Sequence, residues 1–96
     1  MSIADALMAT MPGAIPFAVA RHTLAGGLVV SNTELERAVA YAAQVLKLVV
    51  EPGGAAGLAA LLAGKFGGSP IVGLVLSGGN CDPEQIAACC ASWPEP

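Results

Sequence analysis

Ile71-Val72-Gly73-Leu74-Val75-Leu76, running into Ser77-Gly78-Gly79-Asn80-Cys81-Asp82-Pro83, decides how this 96-residue chain is read. Six apolar residues in a row, three of them β-branched, are the pattern of a strand buried on both faces of a parallel sheet. The four residues from Ser77 form a tight turn, because two consecutive glycines admit backbone angles that a Cβ forbids. Asp82, Pro83 and Gln85 then offer an acidic N-cap, a proline at the first helical position and an amide at the third. A strand thus ends where a helix begins, with a hydroxyl, two bare backbone units and an amide between them. In open α/β sheets that edge is where ligands bind.

The composition is unusual around this stretch. Hydrophobic residues make up 55% and charged residues only 11%, against about 25% charged in ordinary globular chains. So little polar surface does not cover a free-standing domain, and the chain is expected to pack against something else or to be a piece of a larger protein. A membrane span does not account for the apolarity. Asp5, Arg21, Arg37, Lys47, Glu51 and Lys65 interrupt every run before it reaches the roughly 18 residues a spanning helix needs. Met1 to Asp5 lacks the basic region of a secretory leader, so the expected location is cytoplasmic. A net charge of −3 with four scattered cations gives no footprint for nucleic acid. Cys81, Cys89 and Cys90 are odd in number, two of them adjacent, and lack zinc spacing. They read as small packing residues in a reducing compartment, with Cys81 alone next to the glycine turn. His22, the single histidine, reads as a surface side chain.

Outward from the central stretch, local signals place the other elements. Residues 2–7 read as a short strand leading to a breaker at Met11-Pro12-Gly13, with Asp5 capping a turn or shaping a pocket. Pro16 opens a helix that runs to about Ala25 and ends at Gly26-Gly27, and Leu28-Val29-Val30 reads as a short buried strand. Ser31-Asn32-Thr33-Glu34 is a capping box. Behind it Leu35, Ala38, Val39, Ala42, Val45 and Leu46 recur at spacings of three and four, the apolar stripe of an amphipathic helix. Residues 48–54 break that helix, and residues 55–66 read as a second one, apolar all round, with Lys65 suited to its C-terminal dipole. After a loop at 67–70 and the central strand comes a last helix from Pro83 to about Ala91, then a polar tail over 92–96. Strand, helix, helix, strand, helix is an α/β order with long crossover connections. A dinucleotide-binding unit is disfavoured, since phosphate-binding glycines would follow the first strand, and Ser31-Asn32-Thr33 stands there instead.

Three blocks together carry a family resemblance: Ser2-Ile3-Ala4-Asp5-Ala6, the stretch from Lys47 to Ala56 around Glu51-Pro52-Gly53-Gly54, and the stretch from Val75 to Asp82 around Ser77-Gly78-Gly79-Asn80. In order and spacing the chain resembles the C-terminal part of the threonine/serine dehydratases and the similar serine racemases. These are pyridoxal-phosphate enzymes of the tryptophan synthase β-like fold, fold type II. The resemblance implies an α/β fold over residues 1–96, part of that large domain, with parallel strands and crossover helices. It implies pyridoxal 5'-phosphate as cofactor in the complete enzyme, a hydroxy amino acid as substrate, and a 2-oxo acid and ammonia as products. By the resemblance Ser77 hydrogen-bonds the pyridine nitrogen, Glu51 lies close to the ring, and Gly78, Gly79 and Asn80 shape the turn that presents Ser77. In the racemase branch the positions of Lys47 and Asn80 line a nucleotide effector site.

Two departures from the family pattern stand out. Ala6 replaces a glycine common after the Ala-Asp pair. The lysine-bearing motif, the loop for the substrate carboxylate and the glycine-rich phosphate cradle have no counterpart in these 96 residues, and Lys47 and Lys65 stand in other contexts. No catalytic residue and no metal ligand are therefore assigned in this chain. The isolated chain is expected to be inactive, and to form a homo-oligomer or bind a partner chain. A racemase-type isomerase, and a non-catalytic α/β domain acting in ligand binding or self-association, are the alternatives.

Overall fold

The computed structural model describes residues 2–4, 11–68 and 71–95. Helix α1 spans Ala14–Thr23, α2 Asn32–Tyr41, α3 Ala56–Leu62 and α4 Pro83–Ser92. A π-helical turn, Ala42–Leu46, extends α2, and a 3-10 turn, Pro52–Ala55, leads into α3.

The packing is organised on α2, which lies against α3, α4 and the 3-10 turn. Its start is the capping box. Ser31 Oγ accepts from the Glu34 N–H at 3.1 Å, and the Ser31 N–H donates to Glu34 Oε1 at 2.8 Å. Leu35, Ala38, Val39 and Ala42 of the apolar stripe are buried. Val45 and Leu46, the stripe's last two members, are not. At Ala42 the helix changes to π geometry, whose wider turn takes an extra residue and carries the stripe out of line with the core. Lys47, at φ 60° in the left-handed region, then ends the helix, and the Leu48 N–H reaches back to the Ala42 carbonyl at 2.8 Å.

The other helices depart from the expected bounds in physical ways. α3 stops at Leu62 rather than near Phe66, because Gly64 and Gly67 take positive φ and turn the chain. Lys65 consequently serves no helix end. Its Nζ donates to the Val29 carbonyl at 2.6 Å and pairs with Glu34 Oε1 at 3.0 Å. α3 is not buried all round either: Leu58, Ala59 and Ala60 are, while Leu61 is exposed. α4 starts as expected, with the Asp82 side chain accepting from the Glu84 N–H at 2.9 Å and Pro83 at the first position. It runs through Ser92, and the residues behind it dock on α2. Gln44 Nε2 donates to the Trp93 carbonyl at 2.8 Å and Gln44 Oε1 accepts from the Glu95 N–H at 3.1 Å. Arg37 stacks over the Trp93 ring while donating to the Leu62 carbonyl.

The expected parallel strands are not formed among the described residues. Segments 28–30 and 71–76 form no helix, and neither pairs in a ladder. Nor are they buried on both faces. Leu74 and Leu76 pack half-buried against the helical core, whereas Ile71 is 90% and Val75 81% exposed, and Val29 is 83% exposed. The cause is that helices cover one face only and nothing described lies on the other. The strand expected at 2–7 lies mostly outside the described residues, as do Asp5 and Ala6. α1 contains no buried residue and contacts none of the other helices. Among the described residues no helix is long and apolar enough to cross a membrane.

Candidate functional site

The two motifs that lie 26 positions apart in sequence, at Glu51 and Ser77, meet in space. The Glu51 N–H donates to the Gly78 carbonyl at 2.7 Å, and the Ser77 N–H reaches the Gly54 carbonyl at 3.4 Å. The Gly54 N–H closes its own turn on the Glu51 carbonyl at 3.0 Å. So the 3-10 turn is stitched to the end of the 71–76 segment by backbone bonds in both directions.

Glycine is required at two of these contacts. A Cβ on Gly54 would collide with the Ser77 backbone carbonyl, so the two turns approach as closely as bare backbone allows. Gly78 sits at φ +76°, and the Glu51 side chain lies where its Cβ would be. The result is a turn fixed from behind, with Ser77 and Asn80 exposed in front of it. Among the described residues the exposed Ser77 hydroxyl makes no hydrogen bond. Gly79 lies beside the Val49 carbonyl, and its own carbonyl accepts from the Cys81 N–H at 3.1 Å.

Burial pushes the Cys81 thiol above its ordinary pKa, and the nearby carboxylates of Glu51 and Asp82 push it further. The acidic side chain of the first motif packs against Gly78 of the second. That juxtaposition, like the contact of Gly54 with Ser77, is not visible in the sequence. The paired glycines in both motifs hint at a close approach, and the family resemblance puts Glu51 and Ser77 beside one ring, but neither gives the contact itself. Burial also raises the Cys89 thiol, helped by Glu36, and all three cysteines are free. Lys47 is not brought into this site; its Nζ donates to the Gln44 carbonyl at 2.7 Å, at the end of its own helix. His22 lies exposed on α1.

No family model and no solved structure matches the chain. Curated proteins do. The chain is 37% identical over 87 residues to a serine racemase of Arabidopsis thaliana, covering 84% of this chain and 26% of that protein. It is 38% identical over 89 residues to an L-threo-3-hydroxyaspartate ammonia-lyase of Pseudomonas sp, covering 91% and 28%. To the L-threonine dehydratase catabolic TdcB of Staphylococcus aureus strain N315 it is 34% identical over 91 residues, covering 90% and 26%. The chain is homologous to part of the serine racemase and threonine dehydratase family. It spans about a quarter of the length of these relatives. The aligned length takes in nearly all of the chain, with both halves of the stitched Glu51 and Ser77 turns inside one homologous stretch.

Proposed function

We propose that the chain forms the ring-nitrogen side of the cofactor site in a threonine/serine dehydratase that depends on pyridoxal 5'-phosphate. Such an ammonia-lyase converts a hydroxy amino acid to a 2-oxo acid and ammonia. The observation that carries this reading is the exposed, unpartnered Ser77 hydroxyl on a turn held by close backbone contact with Gly54. The relatives' names support the reaction class.

The residues present fit that cofactor. A hydroxyl can accept from or donate to a pyridine nitrogen, and the glycines keep the space around the turn free of side chains other than Glu51. Bound pyridoxal phosphate supplies the electron sink for the substrate carbon that loses its proton. Ser77 tunes that sink. A carboxylate at this position would hold the ring nitrogen protonated, whereas a neutral hydroxyl does not enforce the proton. With a neutral Ser77 hydroxyl at that position, the bound cofactor would supply a weaker sink, which would favour loss of the β-hydroxyl. Gly78, Gly79 and Asn80 set the direction of the Ser77 side chain, and Glu51 anchors the turn through its N–H on the Gly78 carbonyl. The free thiols favour a reducing, cytoplasmic setting. A racemase-type isomerase is the second reading, favoured by the serine racemases of Arabidopsis and Dictyostelium discoideum among the relatives, at 37% and 32% identity.

The test places this chain in the Arabidopsis serine racemase in exchange for the 87 matched residues. The chimera is expected to form 2-oxo acid from serine or threonine, while the 96-residue chain alone does not exceed a cofactor-only control. In the chimera with cofactor bound, Ser77→Ala would remove the hydrogen bond to the ring nitrogen, about 1–3 kcal/mol, and lower elimination roughly ten- to a hundred-fold. Ser77→Asp shifts the balance from elimination toward exchange of the α-proton with solvent. Both variants eliminating at the parent rate, with no faster exchange, would refute the role of Ser77. D-serine without oxo acid would favour the isomerase.

A further inference from the structure

Gln44 and the turn that carries Ser77 close the two ends of one frame. At one end the Glu51 N–H meets the Gly78 carbonyl at 2.7 Å, and the Ser77 N–H meets the Gly54 carbonyl at 3.4 Å. At the other end the half-buried Gln44 side chain holds two backbone groups of the tail. It donates to the Trp93 carbonyl at 2.8 Å and accepts from the Glu95 N–H at 3.1 Å. Its Nε2 donates also to the Ala40 carbonyl at 3.2 Å, which fixes the way the amide faces. Between these ends run two lengths of chain, one from Gln44 to Glu51 and the other from Ser77 through α4 to Trp93.

The first length is anchored along its course. The Leu48 N–H bonds the Ala42 carbonyl, Val50 is buried, and the Val49 carbonyl lies beside Gly79. The second is mostly α4, whose ten residues make a rod of about 15 Å. This rod buries one residue, Cys89. Apolar burial has no direction, so one small buried side chain does not set the tilt of a helix. The directional bonds at its ends do: the Asp82 cap behind the Ser77 turn, and Gln44 at the tail. Arg37 meets the Trp93 ring at 5.8 Å but spends its hydrogen bond on the Leu62 carbonyl.

We propose that Gln44 is a positioning residue for Ser77: by holding the tail it sets the angle of α4, and with it the direction in which the Ser77 hydroxyl is presented. This rests on the reading of Ser77 as the partner of the ring nitrogen. An amide suits the task because it donates and accepts at once, whereas a carboxylate only accepts.

The test follows amide hydrogen exchange in the 96-residue chain. Gln44→Ala should speed exchange at the Glu51 amide roughly ten-fold, the weight of about one hydrogen bond. The Leu35 and Ala63 amides, bonded within one turn of α2 and α3, should keep the parent rate. Gln44→Glu should also speed the Glu51 amide at pH 7, where its carboxylate cannot donate to Trp93. Below about pH 4.3 the protonated carboxyl regains a donor, and its rate relative to the parent at the same pH should return to one. Arg37, Lys47 and Glu95, the charged residues that touch Gln44 or the tail, are common to both proteins, so the ratio reports position 44. In the chimera Gln44→Ala should lower kcat for elimination roughly ten-fold and leave KM in place. Parent exchange at Glu51 in both variants, equal acceleration of all three amides, or a Gln44→Glu ratio that ignores pH overturns the proposal. So does a chimera that Ser77→Ala slows and Gln44→Ala does not. A chimera slowed by neither, or without turnover, sinks the role of Ser77, and the exchange rates still decide whether Gln44 holds the turn.

Discussion

The same substitution made at Gly54 and at Gly57, three residues apart, should change stability in opposite directions. At Gly54 a Cβ would meet the backbone carbonyl of Ser77. Neither partner is a side chain that can swing away, so the 3-10 turn and the Ser77 turn must separate. Overpacking of this kind costs about 1–3 kcal/mol. Separation also strains the Glu51 N–H bond to the Gly78 carbonyl, 2.7 Å, and the Ser77 N–H bond to Gly54. With about 1 kcal/mol for a typical hydrogen bond, Gly54→Ala should destabilise by roughly 2–4 kcal/mol. At Gly57 the nearest atom to an added Cβ is Leu74 Cδ2 at 3.4 Å, an ordinary contact at the end of a flexible side chain. Gly57 lies inside α3, where alanine is favoured over glycine by roughly 0.5–1 kcal/mol. Gly57→Ala should therefore be neutral or stabilising. Thermal unfolding followed by far-ultraviolet circular dichroism separates the two, since 1 kcal/mol moves the midpoint by about 4–8 °C in a domain of this size. Equal losses at both positions, or a Gly54 variant that melts with the parent, would show that the two turns do not meet as closely as described.

Glu34 and Cys81 give two further tests. The Ser31 backbone N–H, and after it Lys65, hold the Glu34 carboxyl below its ordinary range. The unfolded chain therefore binds that proton first as the pH falls. The stability it contributes is complete above about pH 4.3 and is lost as the pH drops through the lower folded value. Glu34→Gln should accordingly flatten the acid limb of a thermal-midpoint profile measured between about pH 3 and 6, and an unchanged limb would exclude the capping box as a source of acid sensitivity. Glu51→Gln removes a like charge from beside Cys81, so the thiol should ionise at lower pH and be alkylated faster at fixed pH. Unchanged labelling, read by peptide mass spectrometry, would mean that the Glu51 carboxylate does not face Cys81.

What the sequence revealed follows the range of each interaction. The Ser31 capping box and the Asp82-Pro83 helix start are set by neighbours within one turn, and both stand as read. The stripe from Leu35 to Ala42 is equally local. It fails at Val45 and Leu46 because a π turn has no compositional signature. The exposure of 28–30 and 71–76 differs from the expected burial for another reason: burial of such a segment depends on what lies beside it, and apolar runs record only that something should. At the site, glycine pairs in two motifs marked Glu51–Gly54 and Ser77–Gly79 as special. The backbone bonds that join them, and the docking of Trp93 and Glu95 on Gln44, cross long sequence separations through polar groups that leave no periodic trace.

The distribution of side-chain sizes ties these features together. Among the described residues the buried core is built largely of alanines, Ala38, Ala40, Ala42, Ala55, Ala59 and Ala60, with Leu35, Val39, Val50 and Leu58 as its larger side chains. Small residues let α2 and α3 approach closely, but each removes little apolar surface from water, and hydrophobic stabilisation scales with that surface at about 25 cal/mol per Å². Ile71, Val75, Val29 and Phe17, which would each contribute far more, lie outside. An autonomous domain places these sizes the other way round. Two of the large residues, Ile71 and Val75, stand on the segment that ends at Ser77, where a second body can cover them. Covering 71–76 would therefore stabilise the strand and hold the Ser77 turn from its open side, in the same step that completes the surface around its hydroxyl.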